Sequence, residues 1–280
     1  MMKLIVDSGS SKTNWYLLTI STDDSTHCMT AGINPFFQKP AEIFRTLESE
    51  FVLDKELITS IYFYGAGVTD QSKKEELLGV LSNFFGVTEI HIESDLMAAA
   101  RSLCGNNEGI AAILGTGSNS CHYDGQAIIH HVSPLGYILG DEGSGAVLGR
   151  LLVSDILKNQ FPQSLNKLFF ETHNTTQAEV MENVYRKPFP NRYLARFTKF
   201  ILNNIHHESM KTLVTDSFSS FFKRNIAQYS QSRRLPVHFT GSVAWYFSEQ
   251  LKASAAKNGF SVGRITQNPM KDLLEFHKKQ

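Results

Sequence analysis

Short apolar runs bounded by turn residues predict strands at 3–7, 14–20, 26–31, 60–64 and 89–93, and helical periodicity occupies 40–52, 70–84 and 95–104. Three strands in succession, then alternating helices and strands, describe a mixed α/β layer and not a purely parallel array. The pattern then starts again, with strands at 110–114, 118–123 and 127–132. Two such series imply a duplicated architecture, although the two stretches are not visibly alike in sequence. A helix is expected after Gly140-Asp141-Glu142-Gly143-Ser144-Gly145 as far as Lys158, and a mostly helical stretch from 162 to 231. Within it, Phe197–Phe200 and Phe218–Phe222 recur at helical spacing and read as core. A strand at 235–239 leads into Thr240-Gly241-Ser242 and a helix to 257; 268–278 reads as a short helix able to pack back on the first half.

A chain of 280 residues is long for one core, and two domains are expected, 1–107 with 268–280 returning to it, and 108–267. Asn106-Asn107-Glu108-Gly109 is the hinge candidate, polar and placed between a helix and a strand. Lys+Arg and Asp+Glu are both 27, so no net field favours nucleic acid or an anionic membrane. An anionic ligand must then be held by local loops. The chain runs from Met-Met-Lys straight into a strand and has no run of about eighteen apolar residues, so neither a signal peptide nor a transmembrane helix is expected, and the expected compartment is the cytoplasm. Cys28, Cys104 and Cys121 show no CxxC spacing and are expected to be reduced thiols. The histidine pairs fit no metal geometry on one helix face, and the ten histidines are read as surface residues.

Candidate chemistry begins at Ile5-Val-Asp-Ser-Gly-Ser-Ser-Lys-Thr-Asn14. A buried strand delivers Asp7 to its end. The next turn offers N–H groups, small side chains, the hydroxyls of Ser8, Ser10, Ser11 and Thr13, and the charge of Lys12 to an anion. An ordinary serine-rich turn is the alternative. Gly115-Thr116-Gly117-Ser118-Asn119 repeats the arrangement after another strand, where a plain hairpin turn competes. Asp95 stands between a strand and the alanine-rich helix containing Ala98, Ala99 and Ala100, either as a helix cap or as a general base. Asp141 and Glu142 sit side by side at a predicted helix start; capping accounts for one acid, while the three flanking glycines point to close approach of ligand or backbone. Asn34, in Gly-Ile-Asn-Pro, either closes a turn or presents its amide to a sugar hydroxyl. Neither GxxxxGK[ST] nor a GxGxxG following a strand is present, so P-loop and Rossmann binding find no support.

In this order, Asp7-x-Gly-x-Ser-Lys-Thr, Ser94-Asp95, Gly115-Thr-Gly-Ser-Asn119, Gly140-Asp-Glu-Gly-Ser144 and Thr240-Gly-Ser242 resemble the sugar kinase/Hsp70/actin superfamily. Within it the chain resembles, over nearly its whole length, the N-acetylglucosamine kinase branch, which shares a domain with the activator ATPases of benzoyl-CoA reductase and 2-hydroxyacyl-CoA dehydratase. The resemblance implies an α/β protein of two ribonuclease-H-like (actin-like ATPase) domains with ATP and sugar in the cleft between them. It further implies Mg2+, a homodimer and phosphorylation of an amino-sugar 6-hydroxyl. It assigns Ser8, Gly9, Ser10, Ser11, Lys12 and Thr13 to the first phosphate loop, Gly115, Thr116 and Gly117 to the second, and Gly241 with Ser242 to the nucleotide. Asp95 becomes the catalytic base and Asp7 the acid near magnesium. Asn34, Asn119 and Asp141 fall where the family holds its amino sugar. Ser133, Pro134 and Leu135 stand where the animal enzyme's pattern has Gly-Gly-Trp, and so concern the shape of the sugar pocket.

The runner-up is an activator ATPase passing an electron to a partner dehydratase. It requires cysteines placed for an iron–sulfur cluster shared by two subunits. No matching cysteine pair follows the Gly-Asp-Glu-Gly-Ser helix. A sugar sensor without turnover is the third class, and the presence of Asp95 argues against it.

Overall fold

The computed structural model describes residues 2–9, 12–19, 25–68 and 71–280. Ser10, Ser11, the last residue of the strand expected at 14–20 and the first of the helix expected at 70–84 lie outside them. The chain forms two compact units, one of residues 1–102 with 270–280, the other of 103–269.

The first unit contains β1 (Met2–Ser8), β2 (Lys12–Thr19), β3 (Ser25–Ala31), α1 (Pro40–Glu50), β4 (Ile58–Gly65), α2 (Gln71–Phe85), β5 (Ile90–Ser94) and most of α3 (Asp95–Cys104). Its sheet has the order β3-β2-β1-β4-β5, with β1–β2 and β2–β3 antiparallel and β1–β4 and β4–β5 parallel. Residues 4–6 are apolar without alternation because both faces of β1 are covered. Leu4 and Val6 join Trp15, Phe63, Ile43 of α1 and Leu77 of α2. Ile5, on the other face, joins Tyr64, Ala98 of α3 and Leu273. Leu273 belongs to the last helix of the chain, which is part of this unit.

The second unit adds β6 (Gly109–Leu114), β7 (Ser118–Tyr123), β8 (Ile128–His131), α4 (Gly136–Leu139), α5 (Gly145–Leu157), α6 (Gln163–His173), α7 (Gln177–Tyr185), α8 (Pro190–Ala195), α9 (Thr198–Asn203) and α10 (Glu208–Arg224). It ends with β9 (Val237–Thr240), α11 (Ser242–Tyr246), α12 (Ser248–Lys257) and β10 (Val262–Thr266); α13 (Met270–Lys278) closes the chain. The sheet order β10-β9-β6-β7-β8 repeats the first sheet strand for strand and in every pair direction. Both units are therefore ribonuclease-H-like layers with mixed, unclosed sheets. Phe197, Phe200, Phe218, Phe221 and Phe222 are buried in one cluster with Leu114 and Leu148.

Three local expectations are corrected. Strand β10 is absent from the sequence reading because Val-Gly-Arg-Ile-Thr has no apolar run; it is a half-buried edge strand held by β9. Asp141 and Glu142 do not begin a helix, since α5 starts at Gly145 and Ser144 is its cap, accepting from the Val147 amide at 3.2 Å. The histidines are not all at the surface. His277 is fully buried beside Tyr62 and Tyr64, and His122 is buried against Glu108 at 2.8 Å.

Candidate active site

In the first unit the relevant residues gather where β1, β4 and β5 end. Ser8, Gly65 and Ser94 share one row of the sheet, with Thr13 paired to Ser8 on β2. Asp7 lies one residue before that row and Asp95 one residue after it. The C-terminal edge of parallel strands is the usual ligand edge of such sheets.

Ser94, not Asp95, caps α3, its hydroxyl accepting from the Met97 amide at 3.2 Å. Asp95 itself is half-buried at the first position of α3. Burial first, and then the charge of Asp95, push Asp7 up to about 6, with Lys12 pulling the other way. Two carboxylates that feel each other and one cation make an electrostatic set that favours a hard cation or a shared proton. Asn14, directly opposite Asp7 on β2 and buried, belongs to the same set. It closes the Ile5–Asn14 stretch, and its place opposite Asp7 follows from the β1–β2 register, which the sequence alone does not give.

The hydroxyls of Ser8 and Thr13 are inside the fold. They meet each other at 2.6 Å, both accept from the Ile33 amide, and they donate to the Ile33 and Ala31 carbonyls respectively. They shape the turn and tie it to the end of β3, so their hydroxyls are not what a ligand meets. Gly9 closes the turn through its amide on the Lys12 carbonyl at 3.0 Å, and the Lys12 side chain is exposed. Asn34 does close a turn: its Oδ1 accepts from the Phe36 amide at 3.0 Å. The Asn34 side chain occupies the space a Cβ would need at Gly67, and its Nδ2 donates to no described residue.

In the second unit three stretches far apart in sequence become one body. The Gly145 and Ala146 amides, the first of α5, donate to the carbonyls of Gly115 and Thr116 at 2.8 and 3.0 Å. Helix α5 therefore has its first donors satisfied by the loop. Among the described residues the Thr116 and Gly117 amides donate no hydrogen bond. The Gly241 turn closes the group. Its φ of 117 suits only glycine, and a Cβ there would strike the Leu114 carbonyl.

Asp141 adopts a left-handed φ of 52, with its amide on the Pro134 carbonyl at 2.8 Å. Its carboxylate accepts from the Ser118 amide at 3.2 Å. Burial pushes it up to about 6, against the lowering effect of that amide and helped by Glu142. Asn119 has its Oδ1 filled by the Ser120 amide at 3.0 Å and His131 Nε2 at 2.8 Å, so Nδ2 is the group it can present to a ligand. Ser133 and Leu135 are exposed beside Pro134, and Leu135 also has a left-handed φ, 61. Next to Gly241, a cavity of about 430 Å³ is lined by Thr198, Lys199, Leu202 and Asn203 of α9 and by Ser242, Val243, Tyr246 and Phe247. Apart from Ser242, the sequence reading missed these residues; α9 and α11 are joined only by folding.

Among the described residues no three His, Cys, Asp or Glu side chains converge on a metal-sized point, and no helix is long and apolar enough to cross a membrane. The Asp7 carboxylate fits magnesium chemically, since this ion keeps several waters and uses only one or two carboxylates.

No protein-family model matches the chain, and no curated protein does. Solved structures do. A Porphyromonas gingivalis protein named as a candidate N-acetylglucosamine kinase is 44% identical, with 100% of this chain and 99% of that one covered and a TM-score of 0.95. A Chromobacterium violaceum protein with the same designation is 17% identical, covered 98% on both sides, with a TM-score of 0.77. A Listeria monocytogenes protein named as a candidate N-acetylmannosamine kinase is 13% identical, covering 99% and 98%, with a TM-score of 0.56. The last two show shared fold alone.

Proposed function

Since the chain belongs to the N-acetylglucosamine kinase branch of the sugar kinase/Hsp70/actin superfamily, a group of sugar kinases, we propose that it transfers the γ-phosphoryl group of ATP to the 6-hydroxyl of N-acetylglucosamine or a close amino sugar. The observation that carries the reading is the place of Asp95: a half-buried carboxylate just past the C-terminal ends of the parallel strands β1, β4 and β5, next to the Ser94 cap and acting on Asp7.

Asp95 orients the 6-hydroxyl and accepts its proton as the oxygen attacks phosphorus. The free amides of Thr116 and Gly117 and the Lys12 ammonium face phosphoryl oxygens, where negative charge spreads during transfer. The turn of Gly9, with Ser8 and Thr13 as its internal struts, and Ser10 and Ser11 beside it, forms the other phosphate loop. Asp7 would hold Mg2+ through water, and the ion when bound neutralises phosphate charge. Gly241 and Ser242 lead into the cavity lined by Tyr246, which takes the nucleoside. Asp141, Asn119 through Nδ2, and Asn34 through Nδ2 bind sugar hydroxyls or the acyl oxygen, with Ser133, Pro134 and Leu135 shaping the rim.

The activator ATPase reading is not carried forward. Cys28, Cys104 and Cys121 are all buried, and no cysteine follows Cys121 in the chain to supply a cluster shared by two subunits.

An ADP-release assay over N-acetylglucosamine, N-acetylmannosamine, N-acetylmuramic acid, glucosamine and glucose tests the proposal. Turnover is expected on an N-acetylated sugar with loss of signal in Asp95→Asn. ADP release independent of any sugar would overturn it.

A further inference from the structure

Two adjacent acids leave the loop before α5 in opposite directions. Asp141 turns to the Ser118 amide, while Glu142 turns to the end of α10. We infer that Ser217, Glu142 and Asn225 are positioning residues, through which α10 holds the Asp141 loop from behind and fixes where that carboxylate meets its ligand. The inference rests on the reading of Asp141 as a sugar ligand.

The loop needs an outside restraint. A non-glycine residue held at the left-handed φ of Asp141 is strained and persists only where neighbours over-determine it. Some restraint is local, from the Ser144 amide to the Asp141 carbonyl at 3.0 Å. The rest comes from α10. The buried Ser217 hydroxyl accepts from the Gly143 amide at 3.1 Å, 74 positions away in sequence. The buried Asn225 amide donates to Glu142 Oε2 at 3.1 Å, and Arg224 pairs with Oε1. Glu142 is only 14% exposed whereas Arg224 is 61% exposed. The solvent-facing ion pair therefore contributes little, and the buried amide bond is the anchor. Phe218 and Phe221, which follow Ser217 in the same helix, pack on the loop at Gly143, where a Cβ would lie 3.1 Å from the Phe218 ring. Two directional bonds and one packed contact hold the loop at Glu142 and Gly143, the two residues that follow Asp141.

The test pairs kinetics with amide hydrogen exchange on the full-length protein. Ser217→Ala and Asn225→Ala are expected to raise the KM for N-acetylglucosamine about tenfold while kcat and the KM for ATP stay within about twofold. Glu142→Ala should behave like them, and Glu142→Gln, which keeps an acceptor for Asn225, should stay near wild type. Without any sugar, exchange at residues 140–146 should quicken in the three alanine variants and stay slow in Glu142→Gln. Unchanged exchange in the loop, or a lowered melting temperature and kcat with sugar KM unmoved, would overturn the inference. If Ser217→Ala does not fold, the Glu142→Ala and Glu142→Gln pair decides by the same readouts. Absence of turnover on every amino sugar would instead sink the functional reading, because the exchange comparison needs no substrate.

Discussion

The Ser118 amide donates to the Asp141 carboxylate at 3.2 Å although 23 positions of chain separate them. The bond ties a candidate sugar ligand to the loop proposed to hold phosphate, with Gly117 between them. A Cβ at Gly117 would stand 3.2 Å from Asp141 Oδ2. Asp141→Ala is expected to weaken sugar binding by about tenfold or more and ATP binding by less, since it removes a charged hydrogen-bond partner. Titration calorimetry with each ligand checks this. The reverse order would move Asp141 to the nucleotide.

Asp95→Asn keeps the shape and the cap at Ser94 but removes the proton acceptor. A fall in kcat of about 10²–10⁴-fold is expected, with sugar affinity largely kept. Single-turnover kinetics beside equilibrium sugar binding separates the two. Near-normal turnover would take Asp95 out of the mechanism.

Asp7 supplies a pH dependence. Its carboxyl is raised to about 6 by burial and by Asp95, so it is neutral in acid and ionised above that pH. Where the ionised form is required, kcat/KM falls about tenfold per pH unit below 6. The same shift has the opposite sign for folding, because ionisation is disfavoured in the native state. Its contribution to stability is greatest below the ordinary value of 3.8 and is lost as pH rises through 6. Asp7→Asn should erase this acidic limb while raising stability at neutral pH, as pH–rate profiles and thermal melts would report.

His277 joins α13 to the first sheet. Its Nε2 meets the Tyr64 hydroxyl at 2.8 Å, and Arg101 of α3 donates to the same hydroxyl at 2.7 Å. Burial, with Arg101, Lys3 and His91 around it, pushes His277 down to about 3. The unfolded chain takes up a proton below about pH 6.5 that the folded chain refuses. Stability from this group is full above 6.5 and falls as pH drops towards 3. His277→Ala should cost about 2–4 kcal/mol at neutral pH and flatten that acid slope, measured by urea unfolding at pH 5 and 7.

Tyr246→Ala opens the cavity beside Gly241. If that cavity takes the nucleoside, the KM for ATP rises severalfold and the sugar KM does not. An effect confined to the sugar would relocate the base.

Much of this was present in the chain as local pattern. Apolar runs and turn residues marked nearly every strand, because a strand covered on both faces, such as Leu4-Ile5-Val6, must be apolar throughout. Strand β10 escaped, since its pairing comes from β9 and not from its own side chains.

Residue type and order were enough to nominate Asp7, Asp95, Asp141 and the two glycine-bearing loops, because short-range chemistry of turns and strand ends is written in adjacent positions. Which group each nominee faces was decided by packing. Ser94 and not Asp95 caps α3, Ser8 and Thr13 turn inward, Asp141 and Glu142 part company, and α10 reaches the loop from 74 positions away. Partners in those bonds are distant in sequence, and only a folded chain brings their donors and acceptors within 3 Å or so of one another.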